Sequence, residues 1–78
     1  MTERLSVGDR EINLTQVLKR AGWVGNGGEA KALIDDGRIR VNGEVESRKR
    51  RKMTVGDRVA MEDGPSLILV GDPPLPGD

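Results

Sequence analysis

The sequence predicts an α+β domain in which two short helices pack on a small, mostly antiparallel sheet. Three observations predict it. Two segments between positions 13 and 36 repeat apolar residues at helical spacing. An Asn42-Gly43 pair then interrupts two alternating polar–apolar runs, the strongest short-range signal of a β-hairpin. Beyond position 57 two more runs, Arg58-Val59-Ala60-Met61 and Ser66-Leu67-Ile68-Leu69-Val70, are rich in strand formers and separated by a Gly64-Pro65 turn. The expected order is β-α-α-β-β-β-β.

Taken in turn, residues 4–12 hold a first short strand, Leu5 and Val7 alternating with polar neighbours before a Gly8-Asp9 turn. Asn13 is placed to cap a helix, with Gln16 three residues on completing a capping box. Leu14, Val17, Leu18 and Ala21 form its apolar face, Lys19 and Arg20 suit its C-terminal dipole, and Gly22 stops it. A glycine-rich connection, Trp23 to Gly28, leads into a second helix over about Gly28–Asp36, with Ala30, Leu33 and Ile34 inward and Gly37 at its end. In the hairpin, Ile39, Val41 and Val45 are expected to face the helices, and Arg38 and Arg40 to face out together.

The chain has 78 residues, so a single domain is expected over 1–71, with its core in 13–61 and a disordered tail at 72–78. It contains neither cysteine nor histidine. The usual general base, zinc ligands and thiolate nucleophile are therefore missing, and neither an enzyme, a cofactor, a metal site nor a small-molecule substrate is expected. Asp35-Asp36 reads as a solvated helix end. Gly25-Asn26-Gly27-Gly28 lacks the lysine of a phosphate-binding loop. No apolar run approaches a membrane span, and the N-terminus shows no apolar signal core, so a cytoplasmic location is the expectation; a monomer is expected as well.

Charge is segregated along the chain. Thirteen cations balance thirteen carboxylates overall, yet Arg38 to Lys52 holds seven cations against Glu44 and Glu46. That window carries +5 and the remainder −5. Five of its seven cations are arginines, whose planar forks suit phosphate. Arg38, Arg40, Arg48, Lys49, Arg50, Arg51 and Lys52 are thus candidates to bind nucleic-acid phosphates. The rival readings are a solvated loop for Arg48–Lys52, cross-hairpin pairing of Arg38 and Arg40 with Glu44 and Glu46, and a protein-interaction module that docks an acidic partner. Trp23, the one aromatic residue, either stacks on a base or caps the small core.

The stretch Leu14 to Met61 resembles the S-four RNA-binding domain, or alpha-L motif. The resemblance lies in Leu14-x-x-x-Leu18-x-x-x-Gly22, in Ala30-x-x-Leu33-Ile34-x-x-Gly37-x-Ile39-x-Val41-Asn42-Gly43, and in Val55-Gly56-Asp57-x-Val59. The basic run after the hairpin resembles tiny stand-alone bacterial members of that family. The resemblance implies binding of folded ribosomal or transfer RNA, with the ribosome as a candidate partner. It implies RNA-facing roles for Lys31 and Asp35 on the second helix, Arg38 and Arg40 on the strand, Asn42 at the turn, and Arg48, Arg51 and Lys52 beyond it. The Ser-Arg pair that usually opens the second helix in this family is replaced here by Gly27-Gly28.

Overall fold

The computed structural model describes residues 2–8 and 11–71. The expected tail, 72–78, and Asp9 of the expected first turn lie outside the described residues. The elements are β1 (Thr2–Ser6), β2 (Ile12–Asn13), α1 (Leu14–Arg20), α2 (Gly27–Asp35), β3 (Ile39–Val41), β4 (Glu44–Val45), β5 (Lys52–Met53), β6 (Arg58–Met61) and β7 (Ser66–Val70). Five strands form one sheet in the order β1-β7-β6-β3-β4, and β2 pairs with β5 as a separate two-stranded ladder. Among the described residues all pairings are antiparallel except β1 with β7.

Both helix starts follow from their caps. Asn13 Oδ1 accepts the Gln16 N–H at 2.9 Å while Gln16 Oε1 accepts the Asn13 N–H at 2.9 Å, a reciprocal capping box. Asn26 Oδ1 accepts the Glu29 N–H at 2.9 Å and starts α2 one residue earlier than the sequence pattern suggested. Gly37, at φ +72°, reverses the chain into β3; a side chain there would strain the left-handed backbone. The hairpin turn also has the expected form, with Asn42 at φ 52° and Gly43 at φ 88°.

The two helices cover one face of the sheet. Leu14, Val17, Leu18, Ala30 and Ile34 interlock with Ile39, Val41, Val59, Leu67 and Leu69 in one buried cluster, and Leu14, Val17, Leu18, Ile39, Val59 and Leu69 are wholly inaccessible. Burying one leucine side chain of this kind contributes about 2 kcal/mol, so a handful of contacts carries this small domain.

One expectation and two rival readings change. Val45 is exposed rather than facing the helices, because it pairs with Arg40 and a cross-strand pair shares one face. The outward residue of β3 carries Val45 out with it. The basic run is not an isolated loop either: its last residue forms β5 with Met53, and Met53 is buried. Trp23 is half-buried against the core, its Nε1–H reaching Glu3 Oε1 at 3.4 Å, so it belongs to the packing and not to an open stacking platform.

Candidate nucleic-acid interface

A buried carboxylate organises the basic run. Glu46 donates its N–H to the Ile39 carbonyl at 3.0 Å, which aims its side chain to the inner side of the sheet, where it is only 8% exposed. Its carboxylate accepts Arg48 Nη2 on Oε1 and Arg48 Nε on Oε2, both at 3.1 Å, plus the Arg48 N–H on Oε2 at 3.0 Å. Arg51 Nε approaches Oε1 at 3.1 Å. Hydrogen bonding by Arg48 pulls the Glu46 carboxyl from 4.5 down to about 2, against the opposing effect of burial, with Arg51 adding to the attraction.

This clamp closes Arg48–Arg51 into a turn, the Arg51 N–H donating to the Arg48 carbonyl at 3.1 Å. Lys49 and Arg50 occupy its exposed tip. The backbone of the same turn is fastened to the start of α1. The Lys49 carbonyl accepts the Thr15 N–H at 3.1 Å and the Thr15 hydroxyl at 2.8 Å, and the Arg51 carbonyl accepts the Leu14 N–H at 3.0 Å. These N–H groups have no partner within the helix, so the basic segment serves as a cap for α1. Five consecutive cations are thereby held at a fixed place despite their mutual repulsion.

Between this turn and the first turns of α1 and α2 lies a concavity of about 440 Å³. Lys19 from α1, Lys31 from α2, and Lys49 and Arg50 from the turn line it, together with Asn13, Thr15, Gln16, Gly27 and Gly28. No carboxylate is among the lining residues. The start of α2 opens onto the same space, where Gly27 and Gly28 place no side chain over the backbone and the Glu29 carboxylate is turned back to the Gly25 N–H and the Asn26 amide. The arrangement attracts polyanions: point charges on flexible lysine stems, one arginine fork, and backbone donors at a helix start.

The candidate residues are therefore divided. Lys31, Lys49 and Arg50 meet in the groove, and Lys19 joins them. Lys19 had a sequence signal as the residue one turn beyond Thr15 on α1, but its fit to the helix dipole already accounted for it. Lys52 borders an adjoining depression with Arg50, and its Nζ lies 3.5 Å from Glu11 Oε1 in a solvent-exposed pair that contributes little. Arg48 and Arg51 turn toward Glu46, and Arg51 keeps only 26% of its side chain exposed. Arg40 lies on the far side of the sheet, its partner across the hairpin being Val45 and not a glutamate. The Asn42 amide is engaged internally, Nδ2 donating to Asp57 Oδ1 at 3.1 Å and Oδ1 accepting the Arg58 N–H at 2.9 Å. Arg38 is exposed just ahead of β3, its carbonyl accepting the Glu62 N–H. Asp35 is exposed at the opposite end of α2 from the groove. Among the described residues no group of acidic side chains is arranged to hold a metal ion, and no helix is long and apolar enough to cross a membrane.

Residues 5–69 match the family model of the S4 domain. The chain belongs to the S4 domain family. This S4 domain is 41% identical over 49 residues to YbcJ of Escherichia coli (strain K12), named as a candidate RNA-binding protein; the match covers 63% of this chain and 70% of YbcJ. It is 37% identical over 70 residues to RlbA of Bacillus subtilis (strain 168), named as a probable ribosome maturation protein, covering 90% of this chain and 99% of RlbA. Among solved structures it resembles the solution structure of Escherichia coli YbcJ, described as revealing an αL motif involved in RNA binding. That likeness has a TM-score of 0.60 at 36% identity and covers 88% of this chain and 85% of the other. The two-helix, mostly antiparallel-sheet architecture of this S4 domain is that of the αL motif.

Proposed function

We propose that this S4 domain binds structured RNA, ribosomal or transfer RNA, through the helix groove and without catalysing a reaction. The observation that carries the reading is the convergence of Lys19, Lys31, Lys49 and Arg50 on one carboxylate-free concavity. Each phosphate neutralised there releases condensed counterions, the main source of affinity for nucleic acid. The domain offers no aromatic platform, since Trp23 packs against the core, so recognition proceeds through shape, phosphates and 2′-hydroxyls of folded RNA. Thr15, the one hydroxyl on the groove wall, donates to the Lys49 carbonyl and is not poised as a nucleophile. The name of RlbA, a probable ribosome maturation protein, favours ribosomal RNA. A monomer acting in the cytoplasm completes the proposal.

The test is filter binding of purified ribosomal RNA across a salt series, with the domain and its Lys31→Ala/Lys49→Ala/Arg50→Ala variant. The variant should bind more weakly, with a log K against log salt slope shallower by roughly two to three. An unchanged slope would contradict the assignment.

A further inference from the structure

We propose that the S4 domain carries a second RNA-phosphate contact on the outer face of its five-stranded sheet, centred on Arg40 and Arg58, so that one copy holds two RNA segments. The inference rests on the RNA-binding reading and adds a second point of attachment to it.

Strand register puts both side chains on this face. Arg40 pairs with Ala60, two residues from Arg58 on the adjacent strand, so the two arginines are diagonal neighbours about 7–8 Å apart along the sheet. Ile39, Val41 and Val59 alternate with them and point into the core, which confirms that the arginines point away from the helices. Both line a depression of about 490 Å³, together with Thr2 and Ser66, whose hydroxyls lie 3.3 Å apart. Among the described residues neither guanidinium has a carboxylate partner. Arg40 makes only a 3.5 Å contact from Nη1 to the Gly43 carbonyl. The acid next to Arg58 in sequence, Asp57, is turned to the Thr54 N–H and the Asn42 amide.

The depression is thus lined without a carboxylate side chain: two guanidinium forks that grip phosphate oxygens in pairs, and two hydroxyls beside them. Val45, Ile68 and Val70 of this face are not on its lining, whose apolar members are the small Ala60 and the buried Val59 and Leu67, so an acidic peptide docking here would find no large exposed apolar side chain to anchor on. RNA backbone needs no such anchor. The two basic surfaces share no residue, and the sheet and core lie between them. A duplex seated in the helix groove leaves the outer face open to a different segment, as in a folded junction.

Energy transfer between two differently labelled copies of one short RNA hairpin tests this at low salt, with one protein per two hairpins. Wild type should bring the labels together. Arg40→Glu/Arg58→Glu should lose the transfer while still binding one hairpin through the groove. Arg40→Gln/Arg58→Gln serves as a milder second pair, and melting curves check that each variant folds. Undiminished transfer in both variants, or a wild type that binds a single hairpin without transfer, overturns the proposal and leaves the groove reading standing. Retention of poly-glutamate by wild type but not by the variants, without hairpin transfer, would give the face to an acidic protein and also overturn it. The groove reading fails separately, if Lys31→Ala/Lys49→Ala/Arg50→Ala binds the hairpin as wild type does.

Discussion

Replacing Glu46 with Gln should destabilise the domain and blunt its RNA binding at once, although Glu46 itself faces no ligand. The substitution keeps the side-chain shape and removes the charge that holds Arg48 and Arg51, both at 3.1 Å. The carboxyl is depressed from 4.5 to about 2, which by linkage corresponds to roughly 3 kcal/mol. Because the Arg48 side chain is 71% exposed, solvent screening reduces the expected loss to about 2 kcal/mol. For a domain of this size that lowers Tm by roughly 10 °C. The sign with pH follows from the depressed value. The contribution is fully present above the unfolded-state pKa near 4.5 and is lost as pH falls through the folded value near 2. Urea unfolding of wild type and Glu46→Gln should therefore differ by the full amount at neutral pH, and the gap should close across that acid window. A gap that is absent at neutral pH, or that stays constant down to the acid end, would refute the clamp. Loosening the clamp also releases Lys49 and Arg50 from their fixed place on α1, so RNA affinity should drop severalfold with no groove cation altered.

Other outcomes follow from the same geometry. Asn42→Ala removes two internal hydrogen bonds and leaves a left-handed backbone on alanine, so chemical denaturation should show a loss of about 1–2 kcal/mol, while RNA affinity of the folded protein stays unchanged. Leu18→Ala empties a wholly buried site at the helix–sheet contact and should cost about 3 kcal/mol by the same assay. Gly27→Arg should strengthen RNA binding and steepen the salt slope by about one, because a Cβ there meets only Thr15 Cγ2 at 3.9 Å and the new cation enters the groove.

The parts of this fold that depend on neighbouring residues were legible in the sequence. The Asn13/Gln16 capping box, the Asn42-Gly43 turn and the glycine that closes α2 each act within a few residues, and each took the expected form. Val45 was legible too, had the hairpin register been followed: a two-residue turn pairs position 45 with 40 and fixes its face as that of Arg40. The same register carries Glu46 to the side of Ile39 and so turns a carboxylate inward. What no local pattern contains is the consequence, that two of the five consecutive cations fold back to neutralise it. The parallel pairing of β1 with β7 and the β2–β5 ladder join distant segments, and residue order does not reveal them. The groove was half visible for that reason. The basic window contains all of its cations except Lys31 and Lys19, but charge along the chain does not separate them from Arg40, which the sheet holds on its far side, or from Arg38, which does not line the groove.

The central claim is that the start of α1, the start of α2 and the Arg48–Arg51 turn form one RNA-binding surface. Titrating the nitrogen-15-labelled domain with a folded ribosomal RNA fragment and following each amide by NMR addresses it most directly. The account predicts that the first and largest shifts fall on Asn13 to Lys19, Gly27 to Lys31, and Lys49 and Arg50. Early shifts that spare all three segments, or none at all at low salt, would contradict it.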